Sequence, residues 1–282
     1  MSEQGKLYIV ATPIGNLGDI TPRMESALRE ADFVAAEDTR VTVKILNHLG
    51  LKKPLVSYYQ HNMNERGGGI IARILAGEVC ALCCDAGTPG ISDPGEVLVR
   101  QAHDAGIIPE PIPGPCAAIT ALCASGIATG RFVFEGFIPV PRNSRRERLA
   151  EVRDETRTLV FYEAPHKLRR TLGDLYATLG EREMTIAREL TKVHEEITRT
   201  TLSQAAALYA EREPKGEYVL VVAGKPPQAP PQDPEQDALA AVERGLAAGL
   251  SLTQACKNAA AQTGRRKSEL YKLALEKRSS AT

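Results

Sequence analysis

The sequence predicts an α/β protein: a mainly parallel first lobe, a second α/β lobe, and a small helical tail. Three observations carry this. Short apolar runs alternate with segments of helical periodicity between residues 7 and 124, the pattern of a parallel sheet covered on both faces. After Gly126 to Gly130 the texture changes to longer strands joined by polar segments. Pro226, Pro227, Pro230, Pro231 and Pro234 then form a semi-rigid linker ahead of the tail. The expected boundaries are 1–128, 129–225, 226–234 and 235–282.

In chain order, residues 7–11 read as a strand. Thr21-Pro22 supplies an N-cap with Pro at the first helical position, opening a helix to about residue 31. A strand at 33–36 precedes a helix carrying Val43, Leu46 and Leu49 and ending at Gly50. A strand at 55–57, a helix around 70–75 and a buried strand at 79–84 follow. Then come a helix at 97–105, a strand at 107–112 and a helix at 117–124. In the second lobe, strands are expected at 132–138, 158–162, 185–187 and 218–223, with a helix at 167–179. In the tail, Ser251 and Gln254 have capping-box spacing, Thr263-Gly264 breaks the helix, and Ser268 starts another. That layout is either a helix-turn-helix or a docking helical hairpin.

The totals exclude several classes. A length of 282 residues with 43% hydrophobic and 25% charged residues is ordinary for a globular protein of about two domains. No apolar run approaches the ~20 residues that span a bilayer. The first residues lack a signal-peptide layout, so the cytoplasm is expected. Lys+Arg and Asp+Glu both total 35, which removes global steering toward nucleic acid but allows local patches. Cys80 and Cys83 have CxxC spacing, but they sit in a strand with no second pair and no nearby His. All six cysteines therefore read as small apolar residues, and no metal site is expected.

The loops carry the chemistry. The run CCDAGTPGISDPG, residues 83–95, follows a buried strand. Its Gly87, Gly90 and Gly95 permit positive φ, while Pro89 and Pro94 hold it rigid. A rigid loop at the carboxyl end of a parallel strand is where open α/β sheets bind ligands. The loop 12–19 is Gly-rich but lacks the G-x-G-x-x-G order and a P-loop lysine, so a standard NAD or ATP site is disfavoured. Glu37, Asp38 and Arg40 form a constellation that could bind an anion or supply a general base; alternatively Asp38 caps the next helix and pairs with Arg40. Tyr58-Tyr59-Gln60-His61 offers a proton shuttle and stacking rings, or only surface hydrogen bonding. PIPGPCAA places backbone N–H groups at a helix start beside Cys116, which reads as a packing residue. Glu189 and Lys192 could be functional or a surface ion pair, and Gly216 could let a ligand lie against the backbone. Arg142, Arg145, Arg146 and Arg148 cluster in what reads as a polar loop, and Arg265, Arg266, Lys267 and Lys272 cluster in the tail. Both patches suit phosphate neutralisation or a solvated face.

Taken together, ATPIGNLGDIT, AEDTR, DAGTPGISDPG, PIPGPCAA, RFVFEGF, FYEAPHK, ARELTK and KGEYVLVV, in this order, resemble the ribosomal RNA small subunit methyltransferase I family of the tetrapyrrole methylase superfamily. The resemblance covers residues 6–225, and GRRKSELYKLAL in the tail also fits. Ala164 and Cys116 stand where Ser is common, both conservative in size. The resemblance implies a tetrapyrrole-methylase-like fold with a mixed second sheet. It implies a cytoplasmic homodimer that uses S-adenosyl-L-methionine for 2′-O-methylation of a decoding-centre cytidine in 16S rRNA of the small ribosomal subunit. The cofactor would lie folded in the cleft between lobes against Pro13, Asp85, Gly87, Thr88, Pro89, Ile91, Cys116 and Ala117, with Tyr162, Glu163, Leu190 and Gly216 closing over it. Candidates for a base are Asp38, His61, Asp85 and Glu189, with Asp38 preferred because it follows a strand beside Arg40. Arg40 and Lys192 would hold phosphates or lower the hydroxyl pKa. Two rival readings are a tetrapyrrole methyltransferase, which needs no basic tail, and a non-catalytic RNA-binding assembly factor with a relic cleft.

Overall fold

The structure is a computed structural model describing residues 5–226 and 234–279. The chain divides into two compact units at the boundary between residues 225 and 226. Among the described residues, no helix is long and apolar enough to cross a membrane.

The first sheet contains β1 (Leu7–Val10), β2 (Phe33–Ala36), β3 (Leu55–Ser57), β4 (Cys80–Cys83) and β5 (Glu110–Ile112), all parallel in the order β3-β2-β4-β1-β5. Helices α1 (Pro22–Glu30) and α2 (Thr39–His48) cover one face through Met24, Leu28, Ile45 and Leu46. On the other, α3 (Met63–Leu75) and α4 (Gly95–Asp104) pack Ile70, Ile74 and Leu98. The two-residue period of β4 sends Cys80 and Leu82 to the α3/α4 side and Ala81 and Cys83 to the other. The CxxC pair therefore faces opposite sides of the sheet and cannot act together. Strands β1 and β4 are neighbours, yet the helices that follow them lie on opposite faces. Their carboxyl ends thus form the switch point where such sheets leave a crevice.

The second sheet is mixed. Strands β6 (Phe132–Phe137), β7 (Thr158–Glu163), β8 (Glu183–Arg188), β9 (Glu196–Thr201) and β10 (Tyr218–Val222) lie in the order β6-β7-β10-β8-β9, with only β6 and β7 parallel. Helices α6 (Arg142–Glu151), α7 (Pro165–Leu179) and α8 (Leu202–Glu211) cover its outer face. The inner face receives α5 (Ala117–Ala124) from the first lobe: Ala118, Ala121 and Leu122 pack on Val160, Ala187, Val219 and Val221. Two hydrogen bonds fix this helix at its ends. The Ala118 N–H donates to the Tyr162 hydroxyl (3.1 Å), and the buried Thr185 hydroxyl donates to the Ser125 carbonyl (2.8 Å).

Several sequence expectations need correction. Residues 142–148 are not a polar loop but most of α6. Its only buried side chains are Arg145 and Leu149, too few to mark an apolar stripe. Strand β9 and helix α8 were not anticipated, because the Glu-Ile-Thr-Arg-Thr-Thr run is the polar composition of an edge strand. Helix α3 starts seven residues before the expected 70, since its first turns carry polar residues and a Gly run. Of the expected linker 226–234, residues 227–233 lie outside the described residues, while Pro234 opens α9 (Pro234–Ala247), a helix the tail reading lacked. In this second unit α9, α10 (Leu252–Thr263) and α11 (Lys267–Ser279) bury Ala238, Val242, Ala255, Cys256 and Leu270 in their own core. The Ser251 hydroxyl caps α10 by accepting from the Gln254 N–H, and Gly264 ends the helix, both as expected.

Replacing Thr185 with the isosteric Val leaves the buried Ser125 carbonyl without its donor. The expected loss is about 1–3 kcal/mol of unfolding free energy, read from the denaturant midpoint.

Candidate active site

The loops after β1, β4 and β5 meet the ends of β7, β8 and β10 around a cavity of about 400 Å3. Residues 84–88 and 91–93, with Ile14, Glu37, Cys116 and Ala117, form the first-lobe wall. Phe137, Tyr162, Ala187, Leu190 and Val219 form much of the opposite wall. The loops are tied down by their own backbone. The Thr12 and Gly87 N–H groups donate to each other's carbonyls (2.8 and 3.0 Å). Asp93 Oδ1 accepts from both the Gly90 and Gly95 N–H groups (2.8 and 2.7 Å). The Thr88 hydroxyl donates to the Pro115 carbonyl (3.1 Å), joining the β4 loop to the start of α5.

Two glycines show how closely the lobes meet. A Cβ on Gly15, in the β1 loop, would stand 2.5 Å from Lys192 Cγ, and one on Gly136 would stand 3.0 Å from Ser92 Oγ. Each lobe thus leaves a side chain out where a loop of the other presses in. Those loops hold every non-glycine residue with positive φ among the described residues: Ser92 (67°), Glu189 (51°) and Thr191 (66°). Left-handed conformations at such residues cost on the order of 1–3 kcal/mol and collect at functional sites.

Of the expected cofactor contacts, Asp85, Gly87, Thr88, Ile91, Cys116, Ala117, Tyr162, Glu163 and Leu190 line the cavity. Pro13 and Pro89 are buried behind its lining, where they shape their loops. Gly216 lies outside the lining, and its missing side chain makes room for Glu189, not for a ligand: a Cβ there would lie 2.5 Å from Glu189 Cγ. The Glu163 carboxylate points inward, accepting from the Thr171 hydroxyl and the Ala164 N–H (2.8 Å). Asp38, Arg40, His61 and Lys192 do not line the cavity. Lys192 pairs with Glu189 and Glu217, both at 2.9 Å, and His61 is exposed with its ring edge-on to Tyr59.

Asp38 takes the capping role. Its carboxylate accepts from the Arg40 N–H (2.8 Å) and from the Arg40 guanidinium at Nε (3.0 Å) and Nη2 (2.6 Å). Those bonds hold its pKa down to about 2, which makes it a weak base. The neighbouring Glu37 and Asp85 do line the cavity and shift the other way. Burial, opposed by the hydrogen bond from the Asp85 N–H and aided by the charges of Asp85, Asp93 and Asp38, pushes Glu37 up. Partial desolvation at the cavity wall, opposed by the hydrogen bond from the Asp38 N–H and aided by the Asp38 charge, pushes Asp85 up although the residue remains open to solvent.

The basic patches also separate. Arg145 is buried, donating to Asp174 Oδ2 (2.6 Å) and the Thr171 hydroxyl (2.8 Å), so it belongs to the lobe's framework and is no phosphate ligand. Arg148 pairs with Glu135 (2.9 Å) and Glu151 (3.1 Å). Arg142 and Arg146 are exposed. In the second unit Arg265 pairs with Glu235 (3.1 Å), Lys272 reaches Glu276 at 3.9 Å, and Arg266 and Lys267 are exposed. Sequence reasoning missed Phe137, Ser92, Asp93 and Val219 as lining residues. Ser92 and Asp93 were legible as part of the DAGTPGISDPG run, whereas Val219 reads as an ordinary core position in an apolar strand.

The raised pKa values of Glu37 and Asp85 have a direction in pH. Both hold protons in the folded state at pH values where the unfolded chain has lost them. Their ionisation therefore lowers stability as pH rises from the ordinary carboxylate range through the raised values. Asp38 acts oppositely: its stabilisation is present above its unfolded pKa and is lost as pH falls toward 2. Glu37→Gln is expected to flatten the first slope and leave the acid limb unchanged, read from unfolding midpoints between pH 3 and pH 8, the ~5-unit span that brackets ordinary carboxylate titration.

Residues 6–206 match the family of tetrapyrrole (corrin/porphyrin) methylases, and residues 232–278 match a domain described as the RsmI C-terminal HTH domain. The chain is 48% identical over 273 residues to ribosomal RNA small subunit methyltransferase I of Synechocystis sp., covering 96% of this chain and 98% of that protein. It is 46% identical to the protein of the same name from Haemophilus influenzae, covering 96% of each. Among solved structures, uroporphyrin-III C-methyltransferase from Thermus thermophilus complexed with S-adenyl homocysteine has the same fold, with a TM-score of 0.56 at 16% identity over 78% of this chain and 97% of that one. The two-sheet fold, the switch-point cavity and the full-length similarity agree, and the chain belongs to the ribosomal RNA small subunit methyltransferase I family of tetrapyrrole methylases.

Proposed function

We propose that this protein transfers a methyl group from S-adenosyl-L-methionine to the ribose 2′-hydroxyl of a decoding-centre cytidine in 16S rRNA. The cytoplasmic, homodimeric setting implied by the resemblance belongs to the same reading. The observation that carries it is similarity through both units at once: near-full-length relatives bear the rRNA methyltransferase name, and their match includes the C-terminal helical unit. A small-molecule methyltransferase has no need of that unit.

The cavity fits the proposed cofactor by the chemistry of its walls. Its size falls in the range of small-molecule sites, roughly 300–1,000 Å3. Ile14, Ala187, Leu190 and Val219 offer an apolar slot for the adenine ring. Helix α5 begins at Ala117, its N-cap Cys116 makes no side-chain cap, and although the Ala118 N–H is held by Tyr162 the Ala117 N–H at that end is left for a carboxylate. Glu37 and Asp85 supply negative charge toward a cationic amine and sulfonium. The neighbour solved with S-adenyl homocysteine supports the same class of ligand.

Bound S-adenosyl-L-methionine supplies a methyl group already activated by its sulfonium. The protein must then align the hydroxyl oxygen with that carbon, worth ~7–11 kcal/mol at best. It must also accept the hydroxyl proton. Asp85 fits that task better than Asp38: it lines the cavity, is open to solvent, and holds one carboxylate oxygen on the Asp38 N–H (2.9 Å). Its raised pKa brings it closer to neutrality, where a general base works best. Glu37 accepts from the Asp85 N–H (3.3 Å) and so helps hold the base in place.

Methyl transfer from labelled cofactor to small subunits lacking modification, mapped by nucleotide, is expected to place the label on a cytidine ribose. Label on a base, or cofactor binding without transfer to rRNA, contradicts the proposal. Asp85→Asn is expected to lower kcat by about 10²–10⁴-fold, a larger effect than its effect on cofactor affinity, with Asp38→Asn close to wild type. Removing residues 235–282 is expected to weaken rRNA binding more than cofactor binding, because that unit has its own core and the cavity lies wholly before residue 226.

A further inference from the structure

Phe137 lines the cavity, yet the residue is 49% exposed. What sets it apart from the other exposed apolar residues is that it stands at the edge of the cavity. Its position comes from an irregularity in β6. The pairing with β7 shifts register between Phe134 and Gly136, so that Phe137 stands opposite Tyr162. Strict alternation would put Phe134 and Phe137 on opposite faces; the bulge returns both to the face of Tyr162. The ring is also held rigidly. It meets Tyr162 edge to face at 5.6 Å, and the Lys167 ammonium lies 5.3 Å from its centroid. Lys167 is itself anchored to buried Glu163 at 3.4 Å.

The surroundings suit one kind of occupant. Ile91, which also lines the cavity and comes from the first lobe, is 41% exposed, in the loop whose Ser92 Oγ would lie 3.0 Å from a Cβ on Gly136. Five residues beyond Phe137, α6 begins with Arg142. Arg145 donates to the Pro139 carbonyl (3.4 Å) and Arg148 pairs with Glu135 (2.9 Å), which pins α6 beside this strand end. Arg142 and Arg146 are exposed, and among the described residues neither meets a carboxylate. A fixed aromatic face, an apolar counter-wall and adjacent free guanidinium groups are the features that bind an unstacked base with its phosphates.

We infer that Phe137 is the stacking platform for the nucleobase of the target nucleotide, with Ile91 opposite and Arg142 and Arg146 on the flanking phosphates. This rests on the proposed RNA methylation. Stacking tolerates any base, so Phe137 is a positioning residue that brings the ribose to the cavity and does not select cytidine. Base–aromatic stacking of ~1–3 kcal/mol corresponds to a roughly 5- to 150-fold effect on RNA affinity.

The chain contains no tryptophan, so Phe137→Trp introduces its one indole at the proposed contact, excited selectively over the tyrosines. A short cytidine-containing single-stranded RNA, added to the full-length variant with S-adenosylhomocysteine present, is expected to quench that fluorescence. An oligonucleotide of equal charge with an abasic site in place of the cytidine is expected to quench it far less. Phe137→Leu, which keeps the site apolar, is expected to weaken RNA binding roughly 5- to 150-fold, more than it weakens cofactor binding. RNA that binds by anisotropy without quenching, or equal quenching by the abasic strand, overturns the platform and leaves the methylation reading standing. Failure of both the RNA and unmodified small subunits to bind at all overturns both.

Discussion

The docking of α5 against the inner face of the second sheet is the contact on which the site depends. This helix follows β5 of the parallel sheet, but its Ala118, Ala121 and Leu122 belong to the core of the mixed sheet. The small side chains of Ala118 and Ala121 allow the helix to lie close to Val160, Ala187 and Val219, and Leu122 fills the remaining space. The two terminal hydrogen bonds, to Tyr162 and from Thr185, then set its position along the strands. With α5 fixed, the switch point between β1 and β4 faces the ends of β7, β8 and β10 across a gap the size of a small molecule.

The cavity is chemically divided because its walls come from two different sheets. The first-lobe wall is made of loops after parallel strands, so it offers backbone groups and the carboxylates Glu37, Asp85 and Asp93. The second-lobe wall is largely sheet face, so it offers apolar side chains such as Ala187 and Val219. Repulsion among clustered carboxylates is relieved in two ways. Asp38 and Asp93 are committed to capping and loop bonds, while burial lifts the pKa of Glu37 and Asp85. The acidic motif thus separates into residues that build the loop and residues that face the ligand.

Much of the fold was legible because the parallel lobe follows local rules. Thr21-Pro22 caps α1 as read, and α5 spans residues 117–124 as expected. Legibility failed where tertiary contacts override local pattern. The Arg-rich run 142–148 looks like a solvated loop, yet Arg145 is drawn inside by Asp174 and Thr171 and the segment is helical. Gly216 looks like a ligand cradle, yet Glu189 fills the space, a contact between segments far apart in sequence. In the candidate site, glycine- and proline-rich loops announced themselves, since Gly87 and Thr88 sit in a motif with few structural alternatives. The choice of base did not, because Asp38 and Asp85 are told apart by which of them lines the cavity and by the hydrogen bonds their carboxylates already hold, both tertiary facts. Nor did Phe137, whose orientation depends on one bulge in β6.

The central claim is that the cavity between the two sheets holds the methyl donor. The most direct measurement is a crystal structure of the full-length protein with S-adenosylhomocysteine. Density in that cavity, touching residues 85–88 from the first lobe and Leu190 or Val219 from the second, is the result this account predicts. Density that contacts the first lobe alone, or lies away from the β1/β4 switch point, contradicts it.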